Sequence, residues 1–139
     1  MFNLKTKQLI FERAGFLCEY CLTPIAFSSQ PFVCEHIIPT VKNGTNELDN
    51  LAAACGGCNG HNKYTKTEAL DPITRTVVPL YSPRKMNWAG HFMWSADFLN
   101  IIGITDIGRA TVHTLYLNRK GVVNIRRVLL IDGSHPAQK

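Results

Sequence analysis

The sequence lacks a long apolar stretch. No segment approaches the roughly 18 consecutive apolar residues of a membrane-spanning helix, and the N-terminal residues do not form the apolar core of a signal peptide. We therefore expect an intracellular, cytoplasmic protein without a membrane partner. In that reducing setting, clustered cysteines more often bind a metal than form disulfides.

Acidic residues are also scarce. The chain has 10 Asp and Glu against 15 Lys and Arg, which gives a formal net charge of +5. A basic balance favours an anionic partner, although many basic proteins bind no nucleic acid. There is no repeat or low-complexity tract, and 139 residues fall within the usual range of one domain. We expect residues 1–70 and an extension over residues 71–139 to pack as one folded unit.

Two CxxC pairs are the strongest pattern in the sequence. They consist of Cys18 with Cys21 and of Cys55 with Cys58. Two such pairs supply the four thiolates of a closed tetrahedral Zn²⁺ site, which stabilises a fold and leaves no open position for catalysis. The alternative is a set of reduced, buried thiols without a metal. The fifth cysteine, Cys34, lies in an apolar segment and is interpreted as a small core residue.

The periodicity and the turn residues predict a mixed α+β fold. Thr6 is a plausible N-cap of the first helix, and Thr105 of a later one. The expected helices cover residues 6–14, 59–70, 106–117 and 122–130, and the expected strands cover residues 31–36, 51–54, 88–94 and 99–104.

Between the two CxxC pairs lie polar groups suited to phosphodiester hydrolysis. Glu35 and His36 end the first strand, Asn50 precedes the second, and Asn59 directly follows the last zinc cysteine. An imidazole titrates near neutral pH and can act as a general base, while carboxylate and amide oxygens are hard ligands for Mg²⁺ or Mn²⁺. Taken singly, His36 has a structural interpretation as a hydrogen-bonded residue, and Asn50 has one as a turn residue.

The combined pattern resembles the HNH endonuclease family, in its four-cysteine zinc-binding branch. The resemblance covers about residues 13–67 and rests on the two CxxC pairs, Glu35-His36-Ile37-Ile38-Pro39, Asn43-Gly44, Leu48-Asp49-Asn50-Leu51 and Asn59. It implies a ββα-metal (His-Me) finger stapled by the zinc site, followed here by a C-terminal strand-and-helix extension.

The resemblance also implies roles for individual residues. Glu35 and Asn59 would bind the catalytic metal, His36 would be the general base, and Asn50 would hold the loop and orient that base. His61 is a further candidate ligand. Many relatives carry Asp in place of Glu35, and many carry a basic residue where this chain has Asn62, with Lys63 one position later.

The sequence therefore predicts a metal-dependent endonuclease acting on DNA, in duplex form by the resemblance, in a bacterial or phage-type setting. Candidate phosphate contacts are Lys63, Lys66 and Arg84. Two alternatives stay open: a non-catalytic zinc module that binds nucleic acid, and a nuclease acting on RNA. The sequence leaves the oligomeric state and the sequence preference undetermined.

Overall fold

Short antiparallel hairpins and three helices make up the protein in a computed structural model that describes residues 2–60, 63 and 65–137. Each of the three sheets within these residues has two strands. This confirms the predicted mixture of helices and strands. The elements in chain order are α1 (Leu4–Arg13), β1 (Phe32–His36), β2 (Leu51–Cys55), β3 (Glu68–Leu70), β4 (Val77–Pro79), β5 (Phe92–Trp94), β6 (Ile101–Gly103), α2 (Asp106–Leu115) and α3 (Lys120–Asp132).

The first helix, α1, begins earlier than the sequence predicts. Asn3 is the N-cap, and its side-chain oxygen accepts a hydrogen bond from the backbone N–H of Thr6 at 2.8 Å. Thr6 is therefore inside the helix and does not cap it. The predicted end of the helix near residue 14 is confirmed, since α1 ends at Arg13 and Gly15 adopts a left-handed φ of 66° just beyond it.

The β1–β2 hairpin is the scaffold of the segment between the CxxC pairs. The strands are antiparallel, with Glu35 opposite Ala52 and His36 opposite Leu51. All five residues of β2 are buried. Leu51 and Ala53 pack with Ile10 of α1 in a small apolar cluster, against which Cys34 is half-buried. Helix α1 therefore covers one face of the hairpin.

The helix expected over residues 59–70 is not found in the described part of that range. Residues 68–70 form β3, and residues 59, 60, 63 and 65 have turn or bend geometry. Gly60 lies inside the expected helix and disfavours it by about 1 kcal/mol relative to alanine, and residues 68–70 pair with β4 instead. The predicted strand-strand-helix order therefore holds only for its two strands.

The C-terminal elements agree more closely with the sequence. Thr105 caps α2 by accepting a hydrogen bond from the N–H of Gly108 at 3.0 Å, as predicted. The strands β5 and β6 pair antiparallel. Residues 88–90, expected at the start of a strand, form a short 3-10 helix. None of the helices among the described residues has the length and apolar character needed to cross a membrane.

One buried apolar cluster connects the N-terminal and C-terminal parts of the chain. It contains the four CxxC cysteines together with residues as distant in sequence as Phe92 and Val122. The indole N–H of Trp88 donates to the backbone oxygen of Tyr20 at 3.0 Å, so this junction also includes a satisfied polar contact. The cysteine centre therefore lies where the two parts of the chain meet.

Candidate metal centre and active site

The four CxxC cysteines converge on one point. The sulfur atoms of Cys18, Cys21, Cys55 and Cys58 all lie within 4.8 Å of one another, and all four residues are buried. The Sγ atoms of Cys21 and Cys55 are 3.8 Å apart. A Zn–S bond of about 2.3 Å in a tetrahedron implies a sulfur–sulfur separation of about 3.8 Å, whereas a disulfide requires about 2.05 Å. The donor set and its spacing therefore fit a tetrahedral metal ion.

The four cysteines lie on two tight turns of the backbone, one for each CxxC pair. In the first turn the N–H of Leu22 donates to the oxygen of Cys18 at 2.9 Å, and in the second the N–H of Asn59 donates to the oxygen of Cys55 at 3.0 Å. Glu19, within the first turn, accepts a hydrogen bond from the N–H of Ala53 on β2 at 2.9 Å. This contact attaches the first turn to the strand that carries the second.

Arg119 is a further residue at this centre, and sequence reasoning missed it. Its Nη2 donates to the sulfur of Cys55 at 3.3 Å and its Nη1 to the sulfur of Cys58 at 3.6 Å. The guanidinium therefore adds a positive charge and two N–H donors beside two of the four thiol groups. These contacts join residues more than 60 positions apart in the sequence, so no local sequence pattern predicts them.

His36 lies at the end of β1, half-exposed, with its ring fixed on two sides. Its Nε2 is 2.7 Å from the side-chain oxygen of Asn46, and its ring centroid is 5.5 Å from that of Phe2. The Asn46 amide is thus the hydrogen-bond partner of this ring nitrogen and holds the imidazole in place. Asn46 is a second residue at the site that the sequence pattern did not identify.

Asn50 holds the loop that follows His36. Its side-chain oxygen accepts a hydrogen bond from the N–H of Ile38 at 2.8 Å, and its amide group donates to the oxygens of Ile38 at 3.0 Å and Thr45 at 2.8 Å. Gly44 closes the same loop, since a Cβ at this position would lie 1.7 Å from the Ile38 oxygen. These hydrogen bonds of Asn50 reach the loop and not the imidazole, so any influence on His36 passes through the loop backbone.

Glu35 occupies a different environment from its neighbour His36. Consecutive residues of a strand project to opposite faces, and the Glu35 side chain is buried, with its Oε1 2.6 Å from the ammonium of Lys63. Lys63 is equally buried and also donates to the oxygen of Ile37 at 3.2 Å. Burial raises the pKa of the Glu35 carboxyl, and the Lys63 ammonium offsets part of that rise. This carboxylate already has a cation beside it.

Three of the predicted active-site residues share one cavity. A cavity of about 230 Å³ is lined by Glu35, His36 and Asn59, together with residues of the following loop such as Thr40. Asn50 is not among its lining residues. His61, expected as an additional ligand, lies outside the described residues.

The predicted phosphate contacts differ in their accessibility. Lys66 is exposed. Lys63 is buried against Glu35, and the guanidinium of Arg84 forms an ion pair with Glu19. In this arrangement Lys66 is the one member of the predicted trio without an ion-pair partner among the described residues.

We predict that replacing Lys63 by methionine destabilises the protein by about 3–5 kcal/mol near neutral pH, because an unpaired carboxylate would remain buried. Since the pKa of Glu35 is already raised, its favourable contribution is present at acidic pH and is lost as the pH rises through that pKa. Removing Lys63 raises the pKa further, so the loss should be greater at pH 8 than at pH 5. Urea unfolding at the two pH values measures this.

The exposed Lys66 provides the matched control for that experiment. Lys66→Met removes the same charge from the surface and should change the unfolding free energy by no more than about 0.5 kcal/mol. Equal stability of the two variants at both pH values would show that the Glu35–Lys63 pair does not form in solution.

The described site is a hairpin joined to a four-cysteine centre that fits a metal ion, with a histidine at the end of its first strand. The comparison with protein families agrees. Residues 18–65, about a third of the chain, match the model of the HNH endonuclease family. No curated protein and no solved structure matches the chain. The family predicts a nuclease-type function and a nucleic-acid partner.

Proposed function

We propose that this protein is a metal-dependent endonuclease that hydrolyses DNA phosphodiester bonds, with His36 as the general base. The observation that carries the proposal is the placement of His36 within the HNH segment. Its imidazole is held by Asn46 and lines a cavity shared with Glu35 and Asn59. Duplex DNA is the substrate that the family resemblance favours.

The chain's residues supply the proton transfer. Nδ1 of neutral His36 takes a proton from water, and the resulting hydroxide attacks the phosphorus while the bond to the 3′ oxygen breaks. The leaving oxygen then acquires a proton from solvent. In this proposal Nε2 donates a hydrogen bond to the Asn46 oxygen, so that Nδ1 is the atom that accepts the proton. Asn50 fixes the adjoining loop through its three hydrogen bonds.

Two metals enter the proposal through different donor sets. Cys18, Cys21, Cys55 and Cys58 would hold a structural Zn²⁺. Glu35 and Asn59, with His61 as a third candidate, would hold Mg²⁺ or Mn²⁺, which supplies charge neutralisation at the phosphate when it is bound. The oxygen donors suit a hard cation in kind. Such a cation would share the Glu35 carboxylate with Lys63.

The ion pair of Glu35 supports a second candidate function. A carboxylate that is buried and paired with Lys63 has its charge compensated without a catalytic metal. This observation favours a non-catalytic module that uses its zinc centre and net charge of +5 to bind nucleic acid. The two candidates differ in whether a phosphodiester bond is broken.

Cleavage assays distinguish the candidates. Zinc-loaded protein, freed of other divalent ions, is incubated with supercoiled plasmid, linear duplex or RNA, with Mg²⁺, with Mn²⁺ or with neither. We expect the plasmid to become nicked or linear only when Mg²⁺ or Mn²⁺ is present, and the RNA to stay intact. Intact plasmid together with a gel shift would support the non-catalytic module, and selective loss of RNA would support a ribonuclease.

A further inference from the structure

We propose that Arg119 is the fixed counter-charge of the four-cysteine metal centre, and that through it metal binding is coupled to the docking of α3. The proposal depends on a metal bound by the four cysteines and does not depend on nuclease activity. It assigns a metal-supporting role to a residue outside the segment that matches the HNH family.

The position of Arg119 is defined by three hydrogen bonds. Its Nη2 and Nη1 reach the sulfurs of Cys55 and Cys58 at 3.3 and 3.6 Å, and Nη1 also donates to the oxygen of Tyr116 at 3.2 Å. Arg119 is the N-cap residue of α3. The start of this helix is therefore attached directly to the second cysteine turn.

Gly57, between the two cysteines, makes room for the guanidinium. A Cβ at this position would lie 2.4 Å from Nη2 of Arg119 and 2.7 Å from its Cζ. Any residue other than glycine would therefore push the guanidinium away from the sulfurs. The middle of this CxxC turn is open on the side from which Arg119 approaches.

The segment that carries Arg119 is rigidly supported. Leu117 is fully buried, and its carbonyl oxygen accepts a hydrogen bond from Arg126 at 2.7 Å. Asn118 accepts hydrogen bonds from Arg126 at 3.0 Å and from the backbone N–H of Ile101 at 2.6 Å. These contacts hold residues 117 and 118 in place directly before α3, and so they position Arg119 beside the cysteine centre.

The chemistry of the centre explains why a cation is needed there. Four thiolates around one divalent ion carry a formal excess of two negative charges, and buried charge is costly unless it is paired and hydrogen-bonded. Two N–H···S contacts from one guanidinium neutralise part of this charge. Outer partners of metal ligands typically contribute 10- to 100-fold to metal affinity. A lysine has the charge but not the planar pair of donors.

Metal binding and the docking of α3 are coupled because the Arg119–sulfur contacts join two distant parts of the chain. The sulfurs belong to the segment before residue 59, whereas Arg119 starts the last helix. The four sulfurs lie at one point when they share a metal, so loss of the metal frees those of Cys55 and Cys58 to move away from Arg119. The N-terminal end of α3 then loses its main polar attachment to the cysteine centre.

The test compares zinc binding and local protection in the full chain. After the zinc content of the wild type has been measured, Arg119→Gln and Arg119→Lys are titrated against a chromophoric zinc chelator. We expect the Gln variant to bind zinc 10- to 100-fold more weakly, the Lys variant to be intermediate, and hydrogen exchange in α3 to be faster in the Gln variant while α1 is unchanged. Arg127→Gln removes an exposed charge from α3 itself and should match the wild type.

A second variant keeps the test decisive if Arg119→Gln does not fold. Gly57→Ala retains the arginine but displaces its guanidinium, and we expect the same weakening of zinc binding. Unchanged zinc affinity in both Gly57→Ala and Arg119→Lys would overturn the proposal, as would equal weakening in Arg127→Gln. A wild type that binds no zinc would overturn its premise and still leave the cleavage assay to decide the proposed function.

Discussion

Replacing His36 by alanine is expected to lower plasmid cleavage about 100- to 10,000-fold, the range that general-base catalysis contributes. The fold should survive, because His36 is half-exposed and its contacts with Asn46 and Phe2 lie at the edge of the hairpin. Initial cleavage rates, zinc content and the unfolding midpoint measured on the same preparation separate the catalytic effect from a structural one.

His113→Ala is the matched control, since His113 is exposed on α2 and lies outside the residues of the candidate active site. It should cleave at the wild-type rate. Asn46→Ala retains the imidazole but removes the amide that holds it. Its cleavage rate should lie between those of His36→Ala and His113→Ala. Full activity of purified His36→Ala would remove the imidazole from the mechanism.

Substituting a cysteine of the centre is expected to have the largest effect on stability. Cys18→Ser should lose the bound zinc and the cooperative unfolding transition, because structural zinc sites contribute about 10–16 kcal/mol of apparent binding free energy to folding. Cys18 is completely buried, and its sulfur belongs both to the metal cluster and to the main apolar cluster. Zinc analysis and thermal unfolding followed by circular dichroism measure both losses.

Cys34→Ser is the control, because Cys34 is half-buried in the smaller cluster beside α1 and is not part of the metal-binding group. It should retain stoichiometric zinc and a cooperative transition. Strong chelation of the wild type should reproduce the Cys18→Ser behaviour. A metal-free wild type with an unchanged unfolding midpoint would show that the four thiols pack without needing an ion.

Local chemistry explains where the sequence analysis succeeded. The CxxC pairs were recognisable because each turn places two sulfurs a fixed distance apart, and the structure brings both pairs together. Thr105 was recognisable as an N-cap because a cap depends on residues only three positions away. The helix expected after Asn59 is wrong in the described residues, because residues 68–70 pair with β4 and Gly60 disfavours a helix.

The sequence by itself determined the four-cysteine centre, the strand that carries Glu35 and His36, and the match of residues 18–65 to the HNH family. Only the tertiary structure decided the partners of those residues: Lys63 against Glu35, Asn46 against His36, and Arg119 against the sulfurs. The physical reason is distance along the chain. Caps and CxxC turns act within a few residues, whereas these contacts span 10 to 64 residues and exist only after the core has formed.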